Sequence, residues 1–133
     1  MNEFEKIDYW IEISNYDLET AEAMLATKRL LYVGFMCHQV IEKILKAVFV
    51  MNCSAVPPFT HSLIDLAQKS NVYGGFSTDQ KDLIDILQPL NIRARYPTYK
   101  DKLFQSLNYE NCQIILSNTK ALAKWIQTEL LKK

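Results

Sequence analysis

Glycine and proline are scarce, 3 and 4 residues in a chain of 133, which excludes an all-β domain stitched together by many tight turns. Cysteine is scarce too: Cys37, Cys53 and Cys112 are odd in number, widely spaced and form no CxxC pair. That pattern excludes a disulfide framework and a cysteine-based zinc site. It marks three reduced thiols, buried as small apolar side chains, in a cytoplasmic setting. An excess of one charge is absent, because 15 Lys and Arg balance 15 Asp and Glu. No overall field then drives the protein onto DNA or an anionic membrane, and any nucleic-acid contact has to come from a local patch. Apolar stretches are interrupted by charge well short of the ~20 residues that a membrane span needs. The opening MNEFEKIDYWIEIS has no basic segment leading into an apolar one, so neither a membrane helix nor a signal peptide is expected.

What is present in quantity is apolar residues, 49% of the chain. At this length that suffices for a core without disulfide or metal support, and residues 1–133 are read as one domain. Phe4, Ile7, Ile11, Leu18, Ala21 and Leu25 recur at steps of three, four or seven and predict one buried stripe on a long first helix. From about Leu30 to Asn52, apolar residues occupy nearly the whole circumference of a second helix, which must be covered on several sides. Val56-Pro57-Pro58 ends it. Thr60 is read as the N-cap of a short third helix through about Ser70, with Leu63, Leu66 and Ala67 inward. Asn71 to Phe76, with Gly74-Gly75, is read as a loop. Ser77 and Gln80 have capping-box spacing before a fourth helix that turns Leu83, Ile86, Leu87 and Leu90 inward, and Pro89 predicts a kink or an early end. Asn108 caps a last helix with a stripe of Cys112, Ile115, Leu116, Leu122, Ala123, Ile126 and Leu130. No window has the period-two alternation of a strand. The fold class is all-α, an antiparallel up-and-down bundle of about five helices.

Two groups of residues are able to carry chemistry. On the second helix, His38, Gln39, Glu42, Lys43 and Lys46 are spaced three or four apart and share a face. They form either a solvated edge, with Glu42 and Lys46 as an i,i+4 pair, or a strip facing a ligand or a second subunit. The other group is Arg93, Arg95, Tyr96 and Tyr99, with Lys100 and Lys102 downstream. A guanidinium fork suits phosphate and a phenol ring accepts a stacked base. The same residues also suit a structural role, with an arginine paired to Asp101 and Tyr96 packed under a loop. His61 is read as a surface or capping residue. His38 and His61 alone make no zinc site, and no phosphate loop, dinucleotide fingerprint or nucleophile elbow is present, so no metal, cofactor or catalytic residue is assigned.

Taken in order, these pieces resemble the HEPN family. Trp10-x6-Asp17-Leu18-x2-Ala21 is similar to the family's first helix. Tyr32-x2-Phe35-x2-His38-Gln39-x2-Glu42-Lys43-x2-Lys46-Ala47 is similar to its second. His61-x-Leu63-x2-Leu66 follows, and Arg93-x-Arg95-Tyr96-Pro97 resembles the element ahead of its last helix. The resemblance spans about residues 8–125 and implies a helical bundle that is often a homodimer. It also implies a partner, a minimal nucleotidyltransferase, in some cases within a toxin–antitoxin pair. Nuclease members carry an Arg followed after four to six residues by a His. Here that window holds Thr98, Tyr99, Lys100, Asp101 and Lys102, with no His. The arginines can still hold phosphate, whereas proton transfer near neutrality lacks its usual imidazole. The expectation is therefore a dimeric module that binds nucleotide or RNA phosphate through Arg93, Arg95, Tyr96, Tyr99, Lys43 and Lys46. A metal-independent ribonuclease toxin with a variant active site, and a non-catalytic helical adaptor, stand as alternatives.

Overall fold

The second helix organises the structure because most of its surface is apolar. In the computed structural model, which describes residues 1–91 and 107–132, helix α2 (Leu30–Cys53) buries 13 of its 24 residues. Its cover comes from α1 (Glu3–Ala26), α3 (Leu63–Lys69), α4 (Thr78–Leu87) and α5 (Tyr109–Trp125), the last continued by a π-helical turn, Ile126–Leu130. The described residues contain no strand. The pairings Glu3 with Ser54, Trp10 with Lys46 and Ser14 with Val40 run α1 antiparallel to α2. Lys120 meets Glu22 and Gln127 meets Asn15, so α5 lies antiparallel to α1. No described helix is long and apolar enough to cross a membrane.

Local chemistry accounts for the helix boundaries. Asn2 and Asn108 each accept from the backbone N–H three residues on, capping α1 and α5. Ser77 and Gln80 form the reciprocal capping box that their spacing predicts. The cap of α3 differs from expectation. Ser62, not Thr60, accepts from Asp65 N–H, while Thr60 Oγ1 accepts from Ser62 N–H one step earlier. A hydroxyl three residues ahead of a free N–H has the better reach. Gln88 then braces this end, accepting from Leu63 N–H at 2.8 Å and donating to Ser62 Oγ at 2.9 Å. The segment read as a loop holds a short 3-10 turn, Tyr73–Gly75, and α4 ends at Leu87, ahead of Pro89.

Two apolar residues expected inside lie outside. Phe4 is 62% exposed, because the first turn of α1 reaches the end of the bundle, where Ser54 donates to Glu3. Ile86 is 51% exposed: α4 is rotated so that Leu83, Ile84 and Leu87 face the core, leaving Ile86 in a groove beside Ala121 and Trp125. Conversely, the buried residues of α1 are Ile7, Ser14 and Ala21, two of them small, so α2 approaches closely along this seam. Ser14 Oγ donates to Val40 O at 2.8 Å. Cys37 and Cys112 are buried and Cys53 is half-buried, all three as free thiols. Burial pushes Cys37 up to about 12 and Cys112 up to about 11, so neither forms a thiolate near neutrality.

Gly34 of α2 lies where two distant residues meet. A methyl group built there would come within 3.1 Å of Leu90 Cδ1 and 3.2 Å of Leu107 Cδ1. The chain before residue 92 and after residue 106 is thus anchored against the same turn of α2. Gly34→Val is expected to destabilise the domain by about 1–3 kcal/mol through overpacking. Urea unfolding checks this, and unchanged stability would show that Leu90 and Leu107 do not close over this position.

Candidate functional site

The polar strip of α2 is neither a solvated edge nor open to a ligand along its length; much of it is interior. His38 and Glu42 are 0% and 2% exposed, and Gln39 is 7% exposed. A buried carboxylate is costly unless it is paired and hydrogen-bonded. Glu42 meets that condition on both oxygens. Oε2 accepts from Lys46 Nζ at 3.1 Å, the expected i,i+4 pair. Oε1 accepts from His61 Nδ1 at 3.0 Å. The chain leaves α2 at Ser54, whose backbone is left-handed, and brings back His61, whose carbonyl accepts from His38 Nε2 at 2.9 Å.

These bonds settle the tautomers. A carbonyl only accepts, so His38 Nε2 carries the hydrogen, and its Nδ1 is left with a lone pair. That Nδ1 is buried, has no hydrogen-bond partner and stands 3.8 Å from Glu42 Oε1. His61 Nδ1 carries the hydrogen donated to the carboxylate, on a side chain that is 55% exposed. Burial lowers the His38 imidazole to about 4, against the pull of Glu42. Burial pushes the Glu42 carboxyl up, but the His61 hydrogen bond and the charge of Lys46 outweigh it and hold the group below its usual range. Near neutrality the cluster is therefore an ionised carboxylate beside a neutral His38.

Helix α1 supplies the other side of the strip. Lys46 Nζ stands 5.3 Å from the centroid of Trp10, a cation–π contact. Lys43 donates to Gln39 Oε1 at 2.9 Å and lies 3.6 Å from Asp17 Oδ2. Burial raises the Asp17 carboxyl, with Lys43 opposing. Both lysines expected to hold phosphate are thus half-buried and already held by carboxylates of this chain. Arg93, Arg95, Tyr96 and Tyr99 lie outside the described residues. Among the described residues, no His, Cys, Asp and Glu group has the arrangement of a metal site.

The residue that sequence reasoning undervalued is His61. A lone histidine after a proline turn carries no signal of its own, and its partner is 19 positions away. Glu42 offered the better clue: an acidic residue among apolar ones on a helix covered all round needs a cation from another element.

The pH dependence of stability follows from His38. The unfolded chain takes up a proton near 6.5, whereas the folded chain resists until about 4. Stability is therefore complete above pH 6.5 and falls by on the order of 3 kcal/mol as the pH drops to about 4. Glu42, held low, adds a further loss only as the pH falls through its own folded value. His38→Gln keeps a donor for the His61 carbonyl but cannot titrate. Urea midpoints of this variant should lose most of the parent's slope between pH 6.5 and about 4.5, the raised Asp17 carboxyl being free to add a small opposite trend. A slope equal to that of the parent would show that His38 is not the group responsible.

Comparison with known proteins finds one family. The HEPN domain family matches residues 7–130, a stretch that includes Trp10, Asp17, Glu42, Lys43, Lys46, His61 and the two arginines. No curated protein and no solved structure matches. With a family match over nearly the whole chain and a helical bundle free of strands among the described residues, the chain belongs to the HEPN family.

Proposed function

We propose that this chain is a homodimeric module that binds the phosphate of a nucleotide or of RNA and works with a minimal nucleotidyltransferase, as in a toxin–antitoxin pair. One observation carries this: a HEPN match over residues 7–130 that contains Arg93-x-Arg95-Tyr96-Pro97. Arg93 and Arg95 bind phosphate by their guanidinium forks, and Tyr96 and Tyr99 offer aromatic faces for a base. The anchoring of Leu90 and Leu107 at Gly34 supports the role, since a binding segment is best held at both ends by a packed scaffold. Lys43 and Lys46 are secondary, because each must exchange a carboxylate for a phosphate oxygen before it contributes. The apolar circumference of α2 no longer argues for a dimer, since the chain covers that helix itself; the family supplies the expectation.

Two measurements test this. Fluorescence anisotropy with a labelled single-stranded RNA and with a labelled ribonucleoside triphosphate should show binding that Arg93→Ala and Arg95→Ala each weaken about tenfold. The RNA should also lose about one from its log–log salt slope per arginine removed. Equal affinity of the parent and the double variant would overturn the assignment. Light scattering at micromolar concentration should give twice the mass of 15.5 kDa, and a monomer would remove the dimer from the proposal.

A further inference from the structure

Helices α4 and α5 leave between them a groove of about 510 Å³. Leu83 and Leu122, both buried, lie deepest in it, while Trp125 is half-buried and Ile86 and Ala121 are open to solvent. Trp125 is fixed by Phe76, with ring centroids 5.8 Å apart, so this wall is already in place before anything docks. Ile114, one turn ahead of Asn118 on the same face of α5, continues the apolar surface and is 56% exposed. Packing within the chain gives Ile86 and Ile114 no cover among the described residues. An apolar groove with a polar rim is the form that an interaction surface takes.

Charge selects the occupant. Asp79 and Asp82 stand on the rim, three residues apart on one face of α4. Among the described residues neither has an ion-pair partner. The helix dipole accounts for Asp79, which is in the first turn, but not for Asp82 further along. Lys81, the one cation of α4, is drawn instead to the ring of Tyr73, 4.9 Å from its centroid. No Lys or Arg among the described residues lines the groove. The wall is thus negative and uncompensated. It repels RNA phosphate, which sets it apart from the binding role given to Arg93 and Arg95. A second copy packed groove to groove about a twofold axis would set the acidic wall against its own counterpart. A channel between two helices with this charge fits a third helix whose apolar stripe is flanked by Lys or Arg. We propose that the groove docks a basic amphipathic helix of a second protein. Its apolar side chains enter over Ile86 and Trp125, and its cations pair with Asp79 and Asp82.

The probe is a fluorescein-labelled peptide of about 18 residues, five helical turns, with Leu every three or four positions and Lys elsewhere. Anisotropy with the full chain should show saturable binding that added salt weakens. The double variant Asp79→Asn, Asp82→Asn should bind about tenfold more weakly, and a peptide with Glu for every Lys should not bind. Ile86→Ser and Ala121→Gln, both at exposed positions, should each weaken binding while melting like the parent. No binding by the parent, or equal binding by all these variants, overturns the proposal. If Ile86→Ser or Ala121→Gln lowers the mass of the protein in light scattering, a second copy covers the groove and the proposal fails. Arg93→Ala with Arg95→Ala should leave peptide affinity unchanged. A gain in that variant would mean that the chain's own basic stretch occupies the groove, and would also overturn the proposal. RNA binding that the aspartate variants leave intact keeps the two readings separate, so that either falls without the other.

Discussion

The burial of one carboxylate governs how the pieces of this bundle meet. Glu42 is almost wholly removed from water, and an isolated charge there would cost several kcal/mol even after relaxation. The structure offsets that cost from three directions: Lys46 one turn along the same helix, His61 from the loop beyond, and Trp10 from α1 steadying the lysine. Each of these fixes a relation between elements. Lys46 cannot reach Glu42 and Trp10 together unless α1 sits over that turn of α2. His61 cannot donate to Glu42 unless the chain doubles back straight after Ser54. The His38 bond to the His61 carbonyl then secures the same corner from the other side.

The family pattern gains a physical meaning from this corner. Trp10, Asp17, Glu42, Lys43, Lys46 and His61 come from separate stretches of sequence, and within the fold they form one polar layer between α1, α2 and the following loop. In this chain, these residues of the resemblance thus hold the scaffold together.

Much of the fold was legible because helical periodicity is a long-range signal that averages over many positions. The limits of α2, the capping box at Ser77, the Asn108 cap and the inward stripe of α5 all appeared where patterning and cap chemistry place them. The misses were local and rotational. Ile86 and Phe4 satisfy helical spacing but face outward, because spacing defines a stripe and tertiary packing chooses its edges. Ser14 was invisible as a core residue because its burial depends on a carbonyl 26 positions away. The polar strip was legible as a strip but not as an interior one. Spacing groups side chains on a face without saying what lies opposite, and only the third dimension brings His61 to Glu42. Arg93, Arg95, Tyr96 and Tyr99 remain assigned from residue type and family likeness.

The seam of α1 bears on how the first two helices find their alignment. Ile7, Ser14 and Ala21 recur every seven residues, so a slide of α1 by two turns would superpose one seam position on the next at little apolar loss. It would, however, drive the bulk of Ile7 against the Val40 carbonyl that Ser14 now occupies, and would strip Lys46 of its indole and Lys43 of Asp17. Greasy contact supplies adhesion that is nearly indifferent to such a slide, and the hydroxyl and the two ammonium groups act as detents that admit one stop.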